Sequence, residues 1–165
     1  MLSKAMQDAI NKQINAEISS AYLYLSMAAH CAANNRPGCA HWMRVQWEEE
    51  LSHAMRLFEH VNDRGGHALL KAIPQPPTEF KSLLDLFKQV LDHEKEVTGL
   101  IHKLYETAVK ESDYPAQVML QWFINEQVEE EKNATEVVEQ LKLIGEQGAA
   151  VIMLDHHLGM RKSGS

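Results

Sequence analysis

The chain contains few of the residues that interrupt or cross-link helices. Among its 165 residues there are two cysteines, five prolines and eight glycines. Two cysteines exclude a disulfide scaffold, and the C-x7-C spacing of Cys31 and Cys39 is not a zinc-binding motif. The prolines and glycines lie in a few clusters, with long periodic stretches between them. The sequence therefore predicts long helices that pack together without disulfide support.

Long hydrophobic runs and an excess of positive charge are also absent. No stretch approaches the ~20 consecutive apolar residues of a membrane span, and the first residues lack the apolar core of a signal peptide. The net charge of −7 argues against a surface that binds nucleic-acid phosphates. Hydrophobic residues make up 45% of the chain, which suits one domain with a sizeable core. We therefore expect a single cytoplasmic domain, residues 1–165, with no nucleic-acid or membrane partner.

The periodic stretches predict four long helices and a short fifth one. They cover about residues 3–34, 39–64, 82–111, 114–144 and 148–158. Ser3 is a candidate N-cap of the first helix, and Ser82 with Asp85 resembles a capping box at the start of the third. The Pro-rich connection 66–81 can cross a bundle lengthwise, whereas the other connections between the long helices are short. The sequence therefore predicts an all-α four-helix bundle of two hairpins, with one long crossover connection and a short fifth C-terminal helix.

Each long helix carries an apolar seam with alternating steps of three and four residues. Polar residues interrupt each seam near its middle: Glu17, Glu50, Glu94, and Gln127 with Glu130. The first hairpin reads Glu-x32-Glu-x2-His, ending at His53, and the second reads Glu-x32-Gln-x2-Glu. The two patterns are displaced by 77 residues. We interpret them as a pseudo-twofold relation between the hairpins, which places the polar residues at one depth of the bundle.

A single polar residue in such a seam is often a device that fixes helix register, and a lone histidine is usually a satisfied core residue. Four buried glutamates are a different case, because each unpaired carboxylate costs roughly several kcal/mol and like charges repel. They must take up protons or bind metal, and we favour metal. Four carboxylates with one imidazole suit iron or manganese better than zinc or copper. The Glu-x-x-His pair lies on one helix face, so both side chains can reach one ion.

On these residues the sequence resembles the ferritin family, in its non-haem bacterial branch. The resemblance covers essentially the whole chain and includes INAEISSAYLYLSMA, QWEEELSHAMRLFEHV and DYPAQVMLQWFINEQVEEEK. It implies a di-iron ferroxidase centre in which Glu17 and His53 hold the first iron ion and Glu50 bridges the two ions. Glu94 and Glu130 would hold the second ion.

The resemblance implies roles for five further side chains. Gln127 would sit beside the second iron ion. Tyr24 would contact the centre, with ordinary core packing as the alternative. Glu49, Glu126 and Glu129 match a third iron site, for which a solvated acidic face is the alternative. No haem is expected, since the chain lacks the haem-ligating methionine and the Glu-x-x-His of the last long helix found in bacterioferritins.

The function that the resemblance implies is iron storage and detoxification. Fe2+ would be oxidised by O2 or H2O2, and Fe3+ deposited as a hydrated oxide inside a hollow shell of 24 identical chains. The fifth helix would pack around a fourfold axis or, alternatively, dock onto its own bundle. A peroxide-detoxifying bundle with little storage and a non-enzymatic structural bundle are the competing readings. The preferred oxidant, the iron routes, a reductase partner and several side-chain roles remain open, the last for Cys31, Cys39, His156, His157 and the basic C-terminal tail.

Overall fold

A computed structural model of the chain describes residues 1–145 and 147–162. Within these ranges the fold consists of helices without strands: α1 Lys4–Ala33, α2 Pro37–Asp63, α3 Leu83–Lys110, α4 Tyr114–Ile144 and α5 Gly148–Leu158. Helix α1 packs against α2 and α3, and α3 packs against α4. The predicted all-α bundle of two hairpins with one long crossover is confirmed. Of the basic tail, residues 163–165 lie outside the described part of the chain.

The helix ends follow the local sequence. The Ser3 hydroxyl accepts a hydrogen bond from a backbone amide of the first turn of α1 at 3.2 Å, and that of Ser82 does the same for α3 at 3.0 Å. Both predicted N-caps are therefore present. Helix α2 begins at Pro37, slightly before the predicted start, because proline suits the first turn of a helix. Gly145, with a φ of 57°, ends α4 in a backbone conformation that favours glycine.

The apolar core is divided into two clusters by a polar layer. One cluster contains the C-terminal half of the α1 seam and Phe87 of α3, and the other contains the N-terminal half of the α1 seam and Ile101 of α3. On each long helix, the buried glutamates and glutamine lie between the residues that belong to the two clusters. Apolar packing on both sides therefore fixes the height at which the polar side chains meet.

Helix α5 docks onto its own bundle, against α2 and α4. The Asp155 carboxylate accepts hydrogen bonds from the backbone amides of Gly38 at 3.0 Å and Cys39 at 2.8 Å. It thereby caps α2, whose own N-cap residue forms no side-chain cap. A β-carbon at position 38 would lie 1.6 Å from the Asp155 carbonyl oxygen, so this contact requires glycine.

The outer face of α5 remains exposed. Ile152 and Met153 are 65% and 74% exposed, whereas Leu154 and Leu158 are buried against the bundle. Docking onto the chain's own bundle thus covers one face of α5 and leaves its opposite, apolar face exposed. None of the described helices contains an apolar stretch long enough to cross a bilayer.

Candidate metal centre

The seven side chains predicted to form the di-iron centre are all buried in the polar layer, each at most 3% exposed. They are Glu17 and Tyr24 of α1, Glu50 and His53 of α2, Glu94 of α3, and Gln127 and Glu130 of α4. All four long helices contribute, because the interruption of each seam falls at the same depth. The structure therefore brings together every residue that the sequence assigned to this centre.

The residues of the first hairpin form a compact cluster. Nδ1 of His53 lies 3.9 Å from Oε2 of Glu17 and 3.9 Å from Oε2 of Glu50. Both carboxylate oxygens are buried and have no hydrogen-bond partner among the described residues. Leaving such an atom unpaired costs about 1–3 kcal/mol, and a cation between these groups would remove that cost. The donor set of two carboxylates and one imidazole therefore fits a divalent metal ion.

The protonation state of His53 also suits metal binding. Burial, together with the positive charge of Arg56, lowers the pKa of His53 to about 4. The imidazole is therefore neutral near pH 7, which is the form that binds metal. Trp122 packs edge-on against the ring, with 5.3 Å between ring centroids, and this contact restricts its orientation.

The residues of the second hairpin are held by neutral donors. The Tyr24 hydroxyl donates a hydrogen bond to Oε1 of Glu94. Nε2 of Gln127 lies 3.2 Å from both Oε2 and the backbone carbonyl oxygen of Glu94, and donates to them. Nε2 of Gln46 donates to Oε2 of Glu130 at 3.0 Å. A metal ion that binds Glu94 must therefore compete with two existing hydrogen bonds.

The electrostatics of the polar layer favour cation binding. Burial is the largest cause of a raised pKa at all four glutamates, and it lifts the pKa of Glu94 to about 7 and that of Glu130 to about 8. The charges of Glu17 and Glu94 raise the pKa of Glu50 further. Negative charge is thus disfavoured here without a counter-cation, and a divalent ion would supply one.

The three residues predicted for a third iron site do not form a single cluster of ligand atoms. Glu126 offers an oxygen 4.0 Å from Nε2 of His53 and forms a candidate metal cluster with His53 and Glu130. Glu49 forms an ion pair, and Glu129 is exposed. Burial, followed by the charges of Glu129 and Glu49, raises the pKa of Glu126. The third site remains a prediction.

Sequence reasoning missed three side chains around the polar layer. Nε2 of Gln13 donates to Oε1 of Glu17 at 2.7 Å, and Gln46 contacts Glu130 as described above. A signal for both was present, because each glutamine precedes a seam glutamate by four residues and shares its helix face. The third is Arg161, which reaches α2 from the C-terminal segment, and no local pattern indicated this contact.

Comparison with known proteins agrees with this architecture. The family model of the ferritin-like domain matches residues 7–144. The chain belongs to the ferritin family. As a ferritin, it is 38% identical over 161 residues to the bacterial non-heme ferritin of Staphylococcus saprophyticus, which covers 98% of this chain and 96% of that protein. The corresponding ferritin of Staphylococcus aureus strain USA300 is 37% identical, with 98% and 97% covered.

Solved ferritin structures are still more similar in sequence. The open pore ferritin from the hyperthermophilic archaeon Archaeoglobus fulgidus superposes with a TM-score of 0.97 and 49% identity, covering 98% of this chain and 100% of that one. A closed form of the same ferritin, engineered by site-directed mutagenesis, also gives a TM-score of 0.97. The predicted resemblance to non-haem bacterial ferritins is thus confirmed for this ferritin at the level of the whole chain.

Proposed function

We propose that this ferritin stores and detoxifies iron and that it oxidises Fe2+ in the polar layer with O2 or H2O2. Iron is here the substrate and the stored cargo. Family membership supports storage. The observation that supports the oxidation site is the pair of unpartnered, buried carboxylate oxygens of Glu17 and Glu50, both 3.9 Å from the neutral imidazole of His53.

Each hairpin would bind one of two Fe2+ ions. Glu17, Glu50 and His53 would bind one Fe2+, Glu94 and Glu130 would bind a second, and Glu50 would bridge them. Each Fe2+ gives up one electron, and the oxidant accepts both with two protons. O2 then yields H2O2, and H2O2 yields two molecules of water.

Side chains of the polar layer would release protons and hold the metal ligands in place. Burial raises the pKa of the glutamates, so those that are protonated in the metal-free protein release protons as Fe2+ binds. Tyr24 and Gln127 hold the Glu94 carboxylate in one orientation. The apolar clusters on both sides keep bulk water away from the layer. Such placement is the protein's contribution to a metal-centred oxidation.

A Glu50→Ala variant tests the site. We expect aerobic Fe2+ oxidation to slow by at least about 100-fold, since even groups that only support metal ligands commonly contribute 10–100-fold. Glu48→Ala is the matched control, because Glu48 is an exposed glutamate on the same helix. Oxidation is followed by absorbance, and size-exclusion chromatography checks that both variants assemble. Rapid oxidation in an assembled Glu50→Ala variant would exclude this centre.

The assembly belongs to the same proposal. The resemblance of the sequence implies a homo-oligomeric shell of 24 chains, and we propose that this shell is cytoplasmic. The exposed apolar residues Ile152 and Met153 of α5 support contacts between chains. Size-exclusion after aerobic Fe2+ addition, with mass and iron read together, tests shell and storage at once. A small particle without retained iron would contradict both.

A further inference from the structure

Thr98 of α3 and Glu131 of α4 extend the hydrogen bonds of Gln127 beyond the polar layer. Nε2 of Gln127 lies 3.3 Å from Oγ1 of Thr98, in addition to the two oxygens of Glu94 described above. Oγ1 of Thr98 in turn donates to Oε1 of Glu131 at 2.6 Å. Thr98 and Glu131 are partly buried. The four side chains thus form one hydrogen-bonded chain that runs from Glu94 to Glu131.

The hydroxyl of Thr98 differs from that of an ordinary helical threonine. Threonine hydroxyls inside helices commonly donate to the carbonyl four residues earlier, as Thr107 does to Lys103 at 2.9 Å. Thr98 has the same option, with the carbonyl oxygen of Glu94 at 3.0 Å. Its contact with the Glu131 carboxylate is shorter, however, and hydrogen bonds to an ionised acceptor are stronger. The single hydroxyl proton therefore points to Glu131, and the hydroxyl oxygen is left to accept.

The direction of that proton determines the orientation of the Gln127 amide. The oxygen and nitrogen of an amide are similar in size, so their hydrogen-bond partners decide which atom takes which position. Oγ1 of Thr98 and the two Glu94 oxygens all accept from Nε2. A reversed amide would place Oε1 against these three oxygens and lose all three bonds. The carbonyl oxygen takes no part in them, and it is the atom of the amide that can bind a cation.

An ion that binds Oε2 of Glu94 displaces the Gln127 amide from that oxygen. Oγ1 of Thr98 and the backbone carbonyl of Glu94 still accept from Nε2 and keep it turned away from the ion. We propose that Thr98 and Glu131 are positioning residues for Gln127, which keep its carbonyl oxygen as the atom available to the ion of the second hairpin. This inference rests on the proposed iron-binding function and adds no ligand to the di-iron centre.

Anaerobic Fe2+ titration of the assembled protein by calorimetry tests the role of Thr98. We expect two binding events at the di-iron centre of the wild type. Thr98→Val removes the hydroxyl and keeps the shape of the side chain, so one of the two events should weaken about tenfold. The other event should keep its wild-type affinity. Thr98→Ser should restore both affinities, because serine retains the hydroxyl.

Thr107→Val is the matched control, since it removes a hydroxyl from the same helix that donates only to the carbonyl four residues earlier. Both events should keep their wild-type affinities in this variant. Unchanged affinities in Thr98→Val, or an equal loss in the control, would overturn the inference while the wild type still reports the di-iron centre. A wild type that binds no Fe2+ would overturn the proposed function and this inference together.

A double-mutant cycle shows whether Thr98 acts through Gln127. In a Gln127→Leu background no amide remains to be oriented, so adding Thr98→Val should change neither affinity. A purely structural role of Thr98 would weaken binding in both backgrounds. A further tenfold loss in the Gln127→Leu background would therefore contradict the positioning role.

Two variants of Glu131 separate its charge from its hydrogen bond. Glu131→Gln and Glu131→Leu both remove the charge, but only glutamine keeps an acceptor for the Thr98 hydroxyl. The event that Thr98→Val weakens should be about tenfold weaker in Glu131→Leu than in Glu131→Gln. Equal affinities in the two variants would show that Glu131 does not act through Thr98.

Discussion

The first hairpin, α1 with α2, and the second hairpin, α3 with α4, bring polar side chains to the same depth and satisfy them differently. In the first, Glu17 and Glu50 each keep a buried oxygen without a hydrogen-bond partner. In the second, both oxygens of Glu94 accept hydrogen bonds, from Tyr24 and Gln127. A metal ion can therefore bind carboxylate oxygens of the first hairpin without breaking a hydrogen bond. To bind Glu94 of the second hairpin, it must displace a hydrogen-bond donor. We expect Fe2+ to bind first to the first hairpin.

The glutamine side chains that flank the polar layer are also distributed unequally between the two hairpins. Gln13 and Gln46 belong to the first hairpin, and the positions 77 residues later hold Val90 and Phe123. Both are fully buried apolar residues of the second hairpin. The pseudo-twofold relation seen in the glutamates is thus broken by their neighbours. The spacing of the metal ligands is thus repeated in both hairpins. The side chains beside the ligands differ, so the metal affinity of each hairpin can be adjusted separately.

The largest expected effect is the pH dependence of the metal-free protein, to which the second hairpin contributes two glutamates. The pKa values of Glu94 and Glu130, about 7 and 8, lie above the ordinary value of 4.5, so the native state binds these protons more tightly than the unfolded state. Their stabilisation is complete below pH 4.5 and is lost as the pH rises through 7 and 8. We expect the thermal midpoint to fall by about 5–10 °C between pH 5 and 8.

A double variant isolates this contribution. Glu94→Gln with Glu130→Gln keeps hydrogen-bond acceptors for Tyr24 and Gln46 but removes both titrating groups. Its thermal midpoint should depend less on pH than that of the wild type, measured in the same buffers without metal. An equally steep dependence in the double variant would show that other groups cause the fall.

The next largest effect is expected for Gln127→Glu, which makes the second hairpin resemble the first. The change removes the amide donor to Glu94 and adds a fifth carboxylate to the polar layer, so we expect the metal-free protein to lose about 3 kcal/mol. Denaturant unfolding measures the loss, and a divalent ion should recover part of it. Gln121→Glu, an exposed change on the same helix, should cost less than about 0.5 kcal/mol. Similar losses in both variants would contradict a special role for Gln127.

A smaller effect is expected for Tyr24→Phe, which removes one hydrogen bond to Glu94. A buried hydrogen bond to a charged group contributes about 2 kcal/mol, and denaturant unfolding of the metal-free protein should lose that amount. Tyr22→Phe is the control, since Tyr22 is 46% exposed and lies on the same helix. If Tyr24→Phe were as stable as this control, the hydroxyl would have no part in holding Glu94.

The smallest effect is expected for Gln13→Leu, which gives the first hairpin an apolar neighbour like Val90. The Gln13 amide lowers the pKa of Glu17, although burial raises it more strongly. Without the amide, Glu17 would hold its proton more tightly, and we expect about tenfold weaker binding of the first Fe2+. Anaerobic calorimetry measures this affinity. A weaker second event with an unchanged first event would reverse our assignment of the two hairpins.

The sequence predicted the fold and the composition of the polar layer because both depend on helical periodicity. The apolar seams include Ile10 and Ile14 of α1, Leu57 and Val61 of α2, Val97 and Ile101 of α3, and Leu120 and Phe123 of α4, and nearly every seam residue is buried. Leu83 and Ile144 are only half-buried, because they are the first residue of α3 and the last of α4, where neighbouring helices cover them less. Trp47 is also half-buried, as is common for a large aromatic residue.

The sequence could not predict which donor serves which oxygen. Gln46 is spaced to meet Glu50 on its own helix, yet its amide donates to Glu130 of α4. The sequence also could not predict the contact between Arg161 and Glu49, since the two residues are 112 positions apart. Such pairings depend on how whole helices pack against one another, and the periodicity of a single helix does not indicate this packing.

The cap that Asp155 places on α2 can form only late in the synthesis of the chain. Asp155 meets Gly38 across 117 positions, so its carboxylate is made long after the first hairpin has been synthesised. Until then, the backbone amides of Gly38 and Cys39 at the start of α2 lack this acceptor. Contacts between such distant positions form late in folding, because a long loop must close first. A chain cut short before residue 155 contains the sequence of all four long helices but lacks that cap on the second.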